Sequence, residues 1–241
     1  MAEAPRRPGI GLLVAAGLVF AILLALGTWQ FYRLQWKEHL IAEIEARRHA
    51  APATLAAAEQ RAEAGTDIDY VPVTVSGSFE HRHEQYFFAT REGEVGYHVY
   101  TPLVLADGRT IFINRGFVPE DFKDPAKRAK GQIAGTVTVT GLARARLDAK
   151  PSWVVPENEP AKHLYFWKDL GAMAASAAVP QGKLVPFFID ADAAPNPGGW
   201  PMGSVTQLDL PNNHLSYVFT WYGLAAVLLV VSVLAFRRKA R

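Results

Sequence analysis

The sequence predicts a membrane protein in which two transmembrane α-helices flank an α+β domain built on an antiparallel β-sheet or a small barrel. Long uncharged apolar runs lie near both ends of the 241-residue chain, and the residues between them have the mixed composition of a water-exposed domain. Several stretches of that middle region alternate between apolar and polar residues, which is the pattern of half-buried β-strands.

The two apolar runs are each long enough to cross a lipid bilayer. The first, from Ile10 to Gly27, holds about 18 residues and would rise about 27 Å, close to the hydrocarbon thickness. The second, from Leu215 to Phe236, holds about 22 residues. A cleaved signal peptide is an alternative for the first run, because Arg6 and Arg7 precede it and Ala25–Gly27 resembles a cleavage site. The run is longer than the roughly 7–15 apolar residues of a signal peptide, so we favour a membrane span.

Positive charge near the chain ends predicts how the spans are oriented. Arg237, Arg238, Lys239 and Arg241 follow the second run, whereas no Lys or Arg lies between Lys183 and that run. Because basic flanks stay on the cytoplasmic side, we expect the C-terminus in the cytoplasm, and two crossings bring the N-terminus to the same side.

The predicted division of the chain follows from these spans. It comprises a cytoplasmic N-terminus (1–9), a first helix (10–32), a periplasmic α+β domain (33–212), a second helix (213–236) and a basic cytoplasmic C-terminus (237–241). Nine residues that include Glu3 leave no room for a mitochondrial transit peptide, so the expected location is a bacterial inner membrane.

Composition excludes several classes of function. A nucleic-acid surface needs a clustered basic face, whereas the net charge here is only +2, so nucleic acid is not an expected partner. The chain has no cysteine, which excludes disulfides, thiolate metal sites and Cys-x-x-Cys redox chemistry. It also shows no nucleophile elbow, Walker loop or recognisable pair of catalytic carboxylates, so we do not expect an enzyme.

The middle region predicts strands and at least one tight hairpin. Asp107-Gly108 separates two apolar stretches, and such a pair accepts the positive φ angles of a type I′ turn. Strands are expected at 71–75, 85–90, 97–105, 109–117, 135–144, 184–189 and 204–208.

Helices and loops complete the predicted domain. Leu40, Ile44 and Arg47 recur at helical spacing after the first span, and Pro52 ends that pattern. Shorter helices are expected at 53–64 and 168–178, and polar loops at 123–131 and 151–160.

Two polar motifs in this region are weak candidates for a site. His81-Arg82-His83 would place two imidazoles on one face if extended, as a metal site requires, but a solvated turn after Phe79 is the favoured interpretation. Arg115, at the end of a hairpin strand, is a candidate to bind a carboxylate of a partner, with an internal salt bridge as the favoured alternative.

The strongest candidate site lies where the second span begins. His214 follows Asn212 and Asn213, one of which can act as N-cap. Tyr217 and Trp221 follow at i+3 and i+7, so the three side chains share one helix face. The positive end of the helix dipole disfavours an imidazolium there, and a neutral imidazole can ligate a metal ion. The alternative, which the residues alone favour, is an interfacial histidine among ordinary aromatic-belt residues.

The outer end of the first span reaches the same depth. Thr28, Trp29 and Gln30 arrive there, and Trp29, Arg33 and Trp36 lie along one helix face. The two helix ends are therefore predicted to meet and form one interfacial pocket.

Three blocks of sequence resemble the surfeit locus protein 1 family. They are GTWQFYRLQWKEHLI beside the first span, NNHLSYVFTWYGLA in the second, and GYHVYTPLVLADGRTIFINRGFVP in the middle. Spans, order and spacing match along nearly the whole chain, and Phe117 stands where the family pattern has Trp.

This resemblance implies an assembly factor for haem–copper cytochrome c oxidase, acting while haem a enters the catalytic subunit, with haem a synthase as a candidate second partner. It implies that the histidine of Asn-Asn-His, here His214, holds haem a, which raises iron ligation above the interfacial alternative. Arg33 is then placed to pair with a haem propionate. The expected pocket residues are Trp29, Gln30, Arg33, Tyr217 and Trp221.

Two rival interpretations remain open at this stage. One is a scaffold whose outer domain docks on an oxidase subunit while the helices only anchor it in the lipid bilayer, which predicts no bound pigment. The other is an envelope enzyme tethered to the membrane, which ranks last because it requires a polar catalytic constellation.

Overall fold

The structure is a computed structural model that describes residues 10–206 and 210–239. The chain divides into two compact units, Ile44–Leu208 and the paired terminal segments Met1–Glu43 and Asp209–Arg241. The boundary between these two units falls inside the first helix, between Glu43 and Ile44. The helices and strands are α1 (Ile10–Arg48), β1 (Ala53–Thr54), α2 (Leu55–Glu63), β2 (Pro72–Phe79), β3 (Gln85–Arg91), β4 (Glu94–Leu105), β5 (Thr110–Pro119), β6 (Thr136–Ala145), β7 (Leu164–Tyr165), α3 (Leu170–Ser176), β8 (Leu184–Ala191) and α4 (His214–Lys239).

The folded domain is a closed five-stranded barrel. Its strands follow the order β2-β6-β8-β5-β4, and β4 pairs back onto β2 at Gly77↔Leu105 to close the ring. Four of the five pairs are antiparallel, and β5 pairs with β8 in parallel. The predicted small barrel is therefore confirmed. Its one parallel pair makes the sheet mixed, because residues 120–183 bring the chain back to the end of the barrel at which β5 begins before β8 starts.

Successive side chains of the barrel strands point to opposite faces of the sheet, and each face forms a hydrophobic core. Every second side chain of the barrel strands points inward, which gives a barrel interior of aliphatic residues and Phe187. On the outer face of the sheet, Tyr100, Phe112 and Phe188 pack beneath the short helix α3, whose Leu170 and Met173 are buried. The sheet is thus covered on both faces where α3 lies over it.

Six of the seven predicted strands and all the predicted helices of the domain are present, with boundaries shifted by a few residues. The strand expected at 204–208 is absent from its described residues 204–206, because Ser204 has a φ of 57° that interrupts an extended backbone. Residues 207 and 208 lie outside the described part of the chain. The loop expected at 123–131 contains 3₁₀ turns over Pro125–Gly131.

The β4–β5 hairpin is confirmed, but its turn is not type I′. Gly108 N donates to Leu105 O at 3.0 Å, and only Gly108 within the turn has a positive φ, of 78°. This is the pattern of a type I turn followed by a left-handed glycine. Asp107 keeps a negative φ and its carboxylate accepts from the backbone N–H of Arg109 at 3.0 Å, which stabilises the turn locally.

The terminal unit consists of α1 up to Glu43 together with α4. Both helices are long and apolar enough to cross a membrane, and few residues of their apolar stretches are buried. The helix α1 is continuous from Ile10 to Arg48, without a break at Ala25–Gly27 where a signal peptide would be cut. The extension predicted by Leu40, Ile44 and Arg47 is confirmed, since the helix ends four residues before Pro52.

Candidate functional site

His214 is the first residue of α4, as the motif predicts. The Oδ1 atom of Asn212 accepts from the backbone N–H of His214 at 3.4 Å, and the carbonyl of Asn213 accepts from the hydroxyl of Ser216 at 2.7 Å. Asparagine oxygens and carbonyls thus satisfy polar groups of the first helical turn. The imidazole is held at a defined place on the helix and remains partly accessible.

The imidazole of His214 is hydrogen-bonded to a side chain of the other helix. Its Nδ1 atom lies 2.6 Å from Oε1 of Gln30, which is buried. An amide oxygen only accepts, so Nδ1 carries the proton and donates it to Gln30. In the neutral ring this leaves Nε2 with a free lone pair. The pair therefore fixes both the orientation and the tautomer of the histidine, and Nε2 can accept a bond from a metal ion.

Close packing continues along both helices on the side of this pair. A Cβ atom added at Gly27 would lie only 2.9 Å from the ring of Tyr222, and the hydroxyls of Thr28 and Tyr222 share a hydrogen bond of 2.9 Å. The least exposed positions of the two helices recur at spacings of three and four residues, as in paired helices. Within the terminal unit this row includes Gly27, Gln30 and Leu34 in α1, and His214, Val218, Trp221 and Ala225 in α4.

Trp221 shares the face of His214, two turns further along α4. Its indole Nε1 atom is buried and has no hydrogen-bond partner among the residues that the structure describes. A buried N–H without a partner carries a cost of about 1–3 kcal/mol, so this group is available to an acceptor that the protein alone does not provide. Tyr217, by contrast, is half exposed.

The structure does not bring every predicted pocket residue to His214. Gln30 contacts it, whereas Trp29 and Trp36 lie on an exposed face of α1 together with Arg33, whose guanidinium carbon stacks 4.3 Å from the ring centroid of Trp36. These side chains do not belong to the buried row of Gly27 and Gln30. Pocket roles for Trp29, Arg33 and Tyr217 stay predictions.

Tyr222 is a residue of this site that the sequence analysis missed. It was hidden among ordinary aromatic residues of the second span. The available signal was Gly27 directly before Thr28, because a glycine followed by a hydroxyl residue in a span permits close approach and a hydrogen bond from a partner helix.

We expect Gln30→Leu to remove the preference of His214 for the tautomer protonated at Nδ1, because leucine is similar in size but offers no acceptor for Nδ1–H. The measurement is ¹⁵N NMR of the full chain labelled with ¹⁵N-histidine in nanodiscs, with the His214 signals assigned by their loss in His214→Ala. Wild type should show a protonated Nδ1 and an unprotonated Nε2, and Gln30→Leu should not.

Gln35→Leu is the matched control, because Gln35 is an exposed glutamine of the same helix. It should leave the His214 signals unchanged. Identical His214 signals in wild type and Gln30→Leu would contradict the hydrogen bond.

Arg115 belongs to a buried ionic cluster at one end of the barrel. Its side chain is 2% exposed and its Nη1 atom lies 3.6 Å from Oε1 of Glu84. The Nη2 atom donates to the carbonyl of Gly131 at 2.5 Å and to Oδ1 of Asn196 at 3.1 Å. The internal salt bridge that the sequence favoured is thus present, whereas a contact of Arg115 with a carboxylate of a partner stays a prediction.

Glu84 is the only carboxylate in this cluster among the described residues. Both of its oxygens accept hydrogen bonds from Arg128, and Gln132 donates to Oε1 at 3.3 Å. Burial would raise the pKa of Glu84, but hydrogen bonds from His81 and Arg128 and the charges of Arg128 and Arg115 outweigh it and lower the pKa to about 2. Glu84 was not among the residues predicted from the sequence, because a single acidic residue before a strand looks solvated.

The motif His81-Arg82-His83 forms one 3₁₀ turn, so its two imidazoles are not on one face of a strand. The turn is confirmed, but His81 is not fully solvated: its Nε2 atom donates to the carbonyl of Ile133 at 2.9 Å. No group of three His, Asp or Glu side chains suited to a metal ion occurs among the described residues.

Replacement of Glu84 tests the contribution of this cluster to stability. Glu84→Gln leaves two buried guanidinium groups without a full counter-charge, so we expect the free energy of unfolding at pH 7 to fall by about 3–5 kcal/mol. Because the folded pKa of about 2 lies below the ordinary 4.5, the stabilisation by Glu84 is full above pH 4.5 and is lost as the pH falls toward 2.

The measurement is denaturant unfolding of the full chain in nanodiscs at several pH values, followed by near-ultraviolet circular dichroism. Wild type should lose stability between pH 5 and pH 2, whereas Glu84→Gln should show a flatter profile over that range. Glu157→Gln, which removes an exposed carboxylate paired with Lys150, should resemble wild type. A profile of Glu84→Gln parallel to wild type would refute the assignment.

Comparisons with known proteins cover both the helices and the barrel. A model of the SURF1 family matches residues 17–226. Surfeit locus protein 1 of Mus musculus is 39% identical over 225 residues, which cover 87% of this chain and 70% of the mouse protein. Surfeit locus protein 1 of Homo sapiens is 39% identical over 218 residues, covering 83% and 69%. The SURF1-like protein of Monosiga brevicollis is 38% identical over 252 residues, covering 99% and 92%.

Proposed function

This chain belongs to the SURF1 family, and we propose that it is a membrane-bound assembly factor for haem–copper cytochrome c oxidase that holds or guides haem a into the catalytic subunit. The observation that carries the proposal is the hydrogen bond from His214 Nδ1 to Gln30, which leaves Nε2 free to bind iron. Its support outside the structure is the family resemblance of the Asn-Asn-His motif.

The residues around His214 fit an axially bound haem. Histidines that ligate metals usually donate their second ring N–H to an oxygen acceptor, and Gln30 supplies that acceptor. Haem a, when bound, would supply an iron that the imidazole of His214 could hold, with a farnesyl tail suited to lipid. The buried indole N–H of Trp221 is available to an acceptor group on the ligand.

The remaining candidate residues would contribute binding surface. Tyr217 and Trp29 expose aromatic rings, and Arg33 carries an exposed guanidinium suited to a propionate. We propose that His214 ligates the iron, that Gln30 positions His214, and that Trp29, Arg33, Tyr217 and Trp221 line the binding surface.

We propose a binding role rather than a catalytic one. A single protein ligand is easier to exchange than a pair, which suits a protein that must give up its haem. The expected partners are the catalytic subunit of the oxidase, haem a synthase and a lipid bilayer, the last supported by the length and composition of the two helices.

We propose that the protein resides in a bacterial inner membrane with both termini in the cytoplasm and the barrel in the periplasm. Support comes from the two long apolar helices and from the basic residues that follow the second of them.

An optical spectrum tests the role of His214. The full chain is purified from cells that make haem a and is compared with His214→Ala at equal protein yield. We expect a haem a band in wild type and its loss, by tenfold or more, in the variant. The matched control is His39→Ala, which removes an exposed histidine of α1 and should keep the band.

The outcomes separate the rival functions. A band unchanged in His214→Ala would keep haem binding but reject His214 as the ligand. No band in wild type would reject haem binding and favour a scaffold that docks on an oxidase subunit without pigment.

A further inference from the structure

A cavity of about 340 Å³ opens beside the buried ionic cluster of the barrel. Arg115 lines it, because the inward-facing residues of β5 end with this arginine after Ile111 and Ile113. Small barrels often bind ligands at their ends, and this volume lies at the lower end of the range of about 300–1,000 Å³ for small-molecule sites. The cavity is therefore large enough for a compact ligand.

The charges next to the cavity do not balance. Two buried guanidinium groups, of Arg115 and Arg128, share the single carboxylate of Glu84. Arg128 takes both oxygens of that carboxylate, whereas the Nη1 atom of Arg115 has only long contacts, at 3.6 Å to Glu84 and 3.4 Å to Nδ1 of His81. One buried positive charge is thus incompletely neutralised, which is costly unless an anion approaches it.

Burial and neighbouring charge are consistent with this imbalance. Burial lowers the pKa of Arg115 to about 10, and the attraction of Glu84 is opposed by the repulsion of Arg128. His81 adds no compensating negative charge, since its Nε2–H is donated to the carbonyl of Ile133 and its Nδ1 lies 3.4 Å from Nη1 of Arg115 and 3.5 Å from Oε1 of Glu84.

One further charged residue lines the cavity. Asp192 lies at its exposed rim, where its carboxylate accepts from the backbone N–H of Ala194 at 2.9 Å. Because this carboxylate is solvated, it offsets little of a buried charge. It also makes the rim unfavourable for large polyanions.

The residues that line the cavity indicate which chemical groups the anionic ligand carries besides its charge. Phe79, Ile133 and Val139 present apolar surface, and the ring of Phe79 stacks 4.8 Å from the guanidinium carbon of Arg115. We infer that the cavity binds a small monocarboxylate on a short aliphatic body, with Arg115 as its counter-ion. This site is separate from His214 and does not depend on the proposed haem function.

Butyrate and its neutral isostere butyramide test the inference. The full chain in nanodiscs is labelled on isoleucine methyl groups and titrated with each compound while methyl NMR spectra are recorded. We expect butyrate to shift the signals of Ile113 and Ile133, which line the cavity, and not that of Ile68, a buried isoleucine that does not line it. Butyramide should bind about tenfold more weakly or worse, because it cannot form charge-assisted hydrogen bonds.

Three variants test whether Arg115 and the cavity itself are responsible for butyrate binding. Arg115→Gln should abolish the difference between butyrate and butyramide. Because that change also alters the ionic cluster, Ala194→Phe provides a second test, narrowing the cavity from an exposed rim position without touching Arg115. It should weaken butyrate binding at unchanged thermal stability. Arg82→Gln, which removes an exposed arginine of the same domain, should leave binding intact.

Three results would overturn the inference. They are equal shifts with butyrate and butyramide, no shift at Ile113 and Ile133 with either compound, and inorganic phosphate binding as tightly as butyrate. The last result would identify a general anion site without a role for the apolar walls.

Discussion

Two apolar helices gain little hydrophobic free energy by pairing inside a bilayer, because lipid is as apolar as their side chains. Their association depends on close packing and on polar contacts between them. In this protein Gly27 admits the ring of Tyr222, and Gln30 accepts the Nδ1 proton of His214. The hydrogen bond serves two purposes at once, since it links the helices and leaves one ring nitrogen of the histidine unprotonated. The proposed haem function rests on this second consequence.

The barrel depends on a comparable polar constraint. A closed ring of five strands fills its interior with aliphatic side chains, and at one end Glu84 is surrounded by Arg115 and Arg128. Buried ion pairs tolerate the loss of one partner poorly, because the remaining charge has no water to replace it. The same cluster carries the excess positive charge from which we infer a carboxylate site. In both units, a buried polar group thus fixes a local geometry and leaves one atom or charge available to a ligand.

Features of the structure that depend on local sequence were predictable, whereas contacts between residues far apart in the sequence were not. The spans, the β4–β5 hairpin and the position of His214 at a helix start follow from composition, period and capping residues. The parallel β5–β8 pair and the contact of Gln30 with His214, 184 residues apart, depend on how the chain returns to itself. A helical pattern places Gln30 on a face but does not say which face meets the partner helix.

The most direct test of the account is the resonance Raman spectrum of the ferrous protein loaded with haem a. The band to follow is the stretch between iron and histidine, identified by its shift on ¹⁵N labelling of histidine. If His214 ligates iron through Nε2 while Nδ1 donates to Gln30, the band is present in wild type and moves to lower frequency in Gln30→Leu, because the lost hydrogen bond makes the imidazole a weaker ligand. A haem-loaded protein whose band is the same in both would contradict it.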